Sequence, residues 1–312
     1  MASVGDVKRK LSPDFIECLY SQFSPGTADR ILLAMAGERK TTFRVNTLKY
    51  SIRELMEYLN GKGLKYERVS WYNDALILKN GREKDIESLD IYEKGYVYLQ
   101  SLSSMVPPLV LDPKPGEKVL DVTAAPGSKT TQMAAMMDNK GSILANELDP
   151  IRAERLKYNV EKQGAHIIQV IQGRGEKLHE SYEGQFDKVL LDAPCSGEGR
   201  FIISDKRTYT AWSLKEVQRL SKLQKKLMES AAKCMKKGGV MVYSTCTINE
   251  SENEEVLYWA ENNLGLKVVD INISIPSSQR ADSKPGSSVH KGIRIMPSKD
   301  MEGFFVSKLM KI

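Results

Sequence analysis

Several residue types and motifs are scarce or missing, and each absence excludes a class of protein. Only four cysteines occur in 312 residues, at Cys18, Cys195, Cys234 and Cys246, and no two form a CxxC pair. That excludes the disulfide scaffold of small secreted domains. Histidine is scarcer still (His166, His179, His290), so no zinc ligand set, and no metal, is expected. No apolar run approaches the roughly 20 residues that cross a bilayer, so no membrane association is expected. The amino terminus is polar and basic from Met1 to Lys10 with no apolar segment after it, so a cytoplasmic location is expected. A GxGxxG fingerprint is missing. A Walker A loop is missing too, because Ser128 separates Gly127 from Lys129. No internal repeat or low-complexity tract occurs, and a monomer is expected.

What is present has a basic bias. The net charge is +6, and basic residues bunch at Lys8-Arg9-Lys10, Arg39-Lys40, Lys206-Arg207, Lys222 with Lys225-Lys226, and Lys236-Lys237. Such bunching fits a polyanionic partner.

Along the chain, Ser12 with Pro13 opens a helical stretch over 12–36, interrupted at Ser24-Pro25-Gly26 and resuming near Thr27. Thr42–Asn46 alternates as a strand, and Ser51 with Glu54 is a capping box for a helix that stops at Gly61-Lys62-Gly63. Short strands are expected at Tyr66–Val69 and Ala75–Leu78. Pro107-Pro108 and Asp112–Gly116 mark a boundary. The expected domains are therefore 1–106, a small α/β unit, and 107–312. The second unit alternates: strands at 118–123, 142–147, 167–172, 186–192 and 239–243, helices at 128–138, 150–163, 213–237 (stopped by Gly238) and 251–263. That pattern implies an α/β fold with a mostly parallel, Rossmann-like sheet covered on both faces. Leu266–Ile271 and Phe304–Leu309, separated by a polar loop over 276–291, are expected to close the sheet as an antiparallel hairpin.

Val119–Thr130 reads as a strand, a tight turn of small residues and a helix start. Small residues admit a ligand close to the backbone, and a helix start offers free N–H groups. Glu147 ends the next strand, where an acid can bind two ribose hydroxyls. The combination fits a nucleoside-bearing cofactor, and the terminal hairpin favours S-adenosylmethionine over a nicotinamide.

Two cysteines each sit just past a strand. Leu190-Leu191-Asp192-Ala193-Pro194-Cys195-Ser196-Gly197 presents an acid and then a thiol. Tyr243-Ser244-Thr245-Cys246-Thr247 ends the strand led by Gly239. Adjacent strand ends bring them to one rim, where Lys129 can lower a thiol pKa. Cys18 and Cys234 read as buried apolar residues on helices. A thiolate, a carboxylate and a methyl donor suit covalent chemistry on cytosine. Addition at position 6 makes position 5 nucleophilic, and after transfer a base removes the position 5 proton and the thiol is eliminated. Two cysteines allow one to attack and one to assist release. The base must be unstacked to be reached, as in single-stranded RNA.

Asp192-Ala193-Pro194-Cys195-Ser196-Gly197 with Ser244-Thr245-Cys246 resembles the paired motifs of the Sun-type (Nol/Nop/Sun) RNA cytosine-5 methyltransferases. Phe43-Arg44-Val45-Asn46-Thr47-Leu48-Lys49, Gln100–Met105, Ala125–Thr130 and Glu302-Gly303-Phe304-Phe305 are similar to that family as well. The resemblance implies Cys246 as nucleophile, Cys195 as the release thiol, Asp192 as the group that holds the polar edge of cytosine, and Lys129 beside the nucleophile. It implies that Ala124, Ala125, Pro126, Gly127, Ser128 and Lys129 surround the methionine part of S-adenosylmethionine, bordered by Asp192. Glu147 takes the ribose, with Arg152 nearby. The small unit is then an RNA-recognition-like module. After the third strand the family usually has an Asp that contacts adenine. This chain has Gln172-Gly173-Arg174-Gly175 there, with Gln172 or a backbone group as the expected substitute. The expected substrate is tRNA in preference to ribosomal RNA. A DNA methylase is disfavoured because only a helix and a strand follow Cys195 before the second motif. A non-catalytic RNA-binding assembly factor is opposed by the intact Lys129, Asp192, Cys195 and Cys246.

Overall fold

A computed structural model describes residues 3–312. Two sheets organise them. The smaller is antiparallel: β1 (Thr42–Val45), β2 (Tyr66–Arg68), β3 (Ala75–Leu78) and β4 (Val97–Leu99), in the order β2-β3-β1-β4. The larger holds β5 (Lys118–Asp121), β6 (Ser142–Glu147), β7 (Ile168–Gln172), β8 (Phe186–Asp192), β9 (Met235–Thr245), β10 (Leu266–Val269), β11 (Ser278–Arg280), β12 (Ile293–Ile295) and β13 (Phe304–Lys311). Its order is β11-β12-β13-β9-β8-β5-β6-β7, with β10 also against β13. Strands β5 to β9 pair in parallel, whereas β13 runs antiparallel to β9, β10 and β12. The expected hairpin is thus part of a larger antiparallel edge. Strand β11 (Ser-Gln-Arg) was hidden in the polar stretch with no apolar alternation to reveal it, and β12, although Ile293-Arg294-Ile295 alternates, is only three residues long.

Helices cover both faces. Leu102–Leu111 buries Leu102, Met105, Val106 and Leu111 in one core with Val119, Val242 and Val306. Pro107 and Pro108 lie inside it. Pro108 has no N–H to give the Ser104 carbonyl, and Gln100 Nε2 donates to that oxygen instead at 3.1 Å. A division between 106 and 107 would cut this helix, which belongs by packing to the large sheet.

The first helices, Val4–Lys8, Pro13–Gln22 and Pro25–Met35, also pack away from the small sheet. Phe15, Leu19 and Leu32 meet Phe201, Trp212 and Ile248, and the Phe15 ring lies 5.1 Å from that of Phe201. The third of these helices starts at Pro25 rather than Thr27, because proline suits the first helical position.

Helix Leu214–Cys234 ends earlier than Gly238. Apolar Cys234 and Met235 carry the chain straight into β9, and residues 236–239 bulge between the pairs Phe186–Met235 and Lys188–Val240. Glu250–Glu252 forms a 3-10 turn before helix Glu254–Asn263, so the helix starts at Glu254 rather than at 251. Among the described residues no helix is long and apolar enough to cross a membrane.

The small sheet is buckled to the large one through the Phe43–Lys49 stretch. Arg44 is fully buried. Its Nε donates to Gln100 Oε1 (2.9 Å) and its Nη2 to Thr131 Oγ1 (2.8 Å) and Ser128 O (3.2 Å). Asn46 Nδ2 donates to Gly95 O and Gln163 O.

Candidate active site

The ends of β8 and β9 lie side by side, with Asp192 in register with Ser244. Past the register, Ala193 N donates to Ser244 O (2.8 Å) and Gly199 N to Cys246 O (3.0 Å). Gly199 also meets Gly303, whose N–H donates to Gly199 O. A Cβ on Gly199 would lie 1.9 Å from the Gly303 carbonyl, so both positions need glycine. These bonds bring the two partly buried thiols together, Cys195 Sγ lying 3.2 Å from Cys246 Sγ.

Beside them, Lys129 Nζ is 2.7 Å from Asp192 Oδ2 and donates to Ser104 Oγ at 2.7 Å. Ser244 Oγ donates to Asp192 Oδ1 (2.7 Å), and Phe304 places its ring 5.5 Å from Lys129 Nζ. One carboxylate thus holds a cation and a hydroxyl and still borders an open cleft.

The two thiols are not equivalent. Its hydrogen bond with Cys246 pushes the Cys195 thiol well up, and burial adds to this. The same bond lowers Cys246; burial opposes that, and the Arg200 guanidinium supports it.

The cleft is lined by Asp121, Thr123, Ala124, Ala125, Pro126, Ser128, Lys129 and Asp192. Gly127 adopts φ +103° and caps helix Ser128–Met136. Glu147 is buried; its Oε1 accepts from the N–H groups of Leu148 and Asp149, and its Oε2 has no hydrogen-bond partner. Arg152 sits 3.5 Å from that Oε2 and donates from Nη2 to Ala125 O, so it braces the cofactor loop. Gln172 ends β7 with its side chain exposed, and its Nε2 donates to Leu148 O at 3.4 Å.

The structure adds residues the motifs did not single out. Asp121 is buried, accepts from Thr130 Oγ1, and leaves Oδ1 unpartnered; burial pushes its carboxyl up to about 7. Ser104, Ser244, Arg200 and Glu252 also belong to the site. Asp121 closes the Val119-Leu120-Asp121 strand and was legible as a strand-end acid. The others take their meaning from partners far away in sequence.

Comparison with known proteins agrees with this arrangement. Residues 108–310 match the family described as 16S rRNA methyltransferase RsmB/F, and residues 15–84 match the ferredoxin-like domain of RsmF/B-like methyltransferases. A tRNA (cytosine(49)-C(5))-methyltransferase of Pyrococcus abyssi is 39% identical over 87% of this chain and 88% of its own. Ribosomal RNA small subunit methyltransferase F of Shewanella oneidensis is 38% identical over 97% of this chain, which spans 64% of that relative's length. The solved structure of a methyltransferase homolog protein from Pyrococcus horikoshii superposes with a TM-score of 0.82 at 32% identity, over 97% of this chain and 100% of the other. NSun6 from Pyrococcus horikoshii, solved with SFG, shares the fold at a TM-score of 0.84 and 24% identity, over 97% and 98%. The chain belongs to the Sun-type, RsmB/F family of RNA cytosine-5 methyltransferases, whose methyl donor is S-adenosylmethionine.

Proposed function

We propose that this chain methylates position 5 of a cytosine in tRNA through a covalent bond between Cys246 and the base. The observation that carries the reading is the pair of thiols 3.2 Å apart beside the Lys129–Asp192 ion pair. Cys246 Sγ adds to position 6, and the ring π electrons move to position 5, which becomes nucleophilic. Asp192, held by Lys129 and Ser244, accepts hydrogen bonds from the polar edge of the base and stabilises the altered ring. After transfer, a base takes the proton from position 5, and the C–S bond breaks to restore the double bond and free Cys246. Cys195 assists that release.

The residues present fit the cofactor. Glu147 Oε2 is a buried acceptor with no hydrogen bond, which two ribose hydroxyls satisfy, and Asp121, which lines the cleft, leaves Oδ1 likewise without one. Ala124 to Lys129 surround the methionine part, and the bound group supplies an electrophilic methyl. The small sheet adds to the RNA-facing surface. A tRNA substrate is favoured because the tRNA-modifying relative matches over 88% of its length, against 64% for the ribosomal one.

The test is methyl transfer from labelled S-adenosylmethionine to tRNA and to 16S ribosomal RNA transcripts, followed by bisulfite sequencing. Label at one tRNA cytosine is expected. Label confined to 16S RNA overturns the tRNA reading, and no label on either overturns the activity.

A further inference from the structure

Behind the two thiols lies a carboxylate that the mechanism above does not use. Glu252, in the 3-10 turn before the last long helix, is fully buried. Its Oε1 accepts from Ser196 N (3.0 Å) and Gln224 Nε2 (2.9 Å), and its Oε2 accepts from Ser196 Oγ. Ser196 Oγ lies 3.0 Å from Thr247 Oγ1. Ser196 follows Cys195, and Thr247 follows Cys246, so one side chain carries both thiol-bearing segments. Gln224 Nε2 also donates to Pro194 O, and Tyr243 Oη donates to the Glu252 carbonyl at 2.6 Å, fastening the bracket to β9.

The donors are all neutral. No lysine or arginine pairs with Glu252 among the described residues, and burial raises its carboxyl above the ordinary value against these bonds. Both carboxyl oxygens accept, so a glutamine, whose nitrogen donates, cannot meet the same set. The titratable groups around it are Cys195, Glu198 and Tyr243.

We propose that Glu252 is a positioning residue that holds the two thiol-bearing segments together through Ser196 and Thr247 and so keeps the two sulfurs in contact. The proposal rests on the assignment of Cys246 as nucleophile.

The test is site-resolved alkylation of the full chain by limiting iodoacetamide, read by peptide mass spectrometry, alongside kcat, KM and thermal unfolding. In the native protein label goes mainly to Cys246. In Glu252→Gln, which keeps the shape but turns one acceptor of the bracket into a donor, the thiol contact loosens and labelling of Cys195 rises several-fold relative to Cys246. In the same variant kcat falls with KM unchanged. An unchanged ratio in a variant with native melting overturns the proposal. Should Glu252→Gln fail to fold, Thr247→Val decides: a fall of kcat supports the bracket, and native turnover overturns it. Label mainly on Cys195 in the native protein overturns the nucleophile assignment, and the proposal with it.

Discussion

Cys195 Sγ and Cys246 Sγ stand 3.2 Å apart at the ends of two adjacent parallel strands, close enough for one thiol to donate to the other. A donated proton stabilises the acceptor as a thiolate, so the pair is built to hold one proton between two sulfurs. The rest of the site decides which sulfur keeps it.

Arg200 is one of the groups that decide. Cys246 is lowered first by its bond to Cys195, against burial, and then by the Arg200 charge. Arg200→Met is expected to raise the pH midpoint of Cys246 alkylation and to slow alkylation several-fold at about pH 7. An unchanged midpoint contradicts this role.

Glu147 and Gln172 separate a buried acceptor from a rim residue. Glu147→Gln removes a charged acceptor for the ribose and is expected to weaken S-adenosylmethionine binding by about 2 kcal/mol, roughly 30-fold in calorimetry. Gln172→Ala, at an exposed side chain that bonds Leu148 O, is expected to change it by less than about twofold. The reverse order of effects contradicts the assignment.

Arg44 joins the small sheet to the helix that follows the cofactor loop. Arg44→Met leaves Gln100 Oε1 without its Arg44 donor and removes the bonds to Thr131 and Ser128. It is expected to cost about 2–4 kcal/mol in urea unfolding and to weaken cofactor binding through the displaced helix start. A loss under about 0.5 kcal/mol contradicts the coupling.

Glu198 carries a pH dependence of stability. It is buried, accepts from Trp212 Nε1 and Asn249 Nδ2, and burial pushes its carboxyl from 4.5 up to about 7. A carboxyl raised on folding contributes stability that is complete below its unfolded value and is lost as pH climbs through its folded value. Melting temperature should therefore decline between about pH 5 and about pH 8, and Glu198→Gln should flatten the decline. Equal slopes in the two proteins contradict the assignment.

Much of this was legible in the sequence because the chemistry sits on local signals. Asp192, Cys195 and Cys246 follow apolar strands directly, Lys129 follows a small-residue turn, and Glu147 closes the next strand. What escaped depends on long-range contact. Glu252 gains meaning only when Ser196, over fifty positions earlier, reaches it, and Gly199 only against Gly303. Pro107 and Pro108 read as a break, yet the helix survives because Gln100 supplies the missing donor. Gln172 sat at the expected position along the chain, but an edge strand turned its side chain to solvent.

The most direct test of the account uses the cysteine variants with tRNA and S-adenosylmethionine, resolved on denaturing gels. Cys195→Ala is expected to trap a denaturant-resistant protein–RNA adduct. Cys246→Ala, and the double variant, should form none and transfer no methyl group. An adduct that survives in Cys246→Ala, or full turnover by that variant, contradicts the assignment of the attacking sulfur.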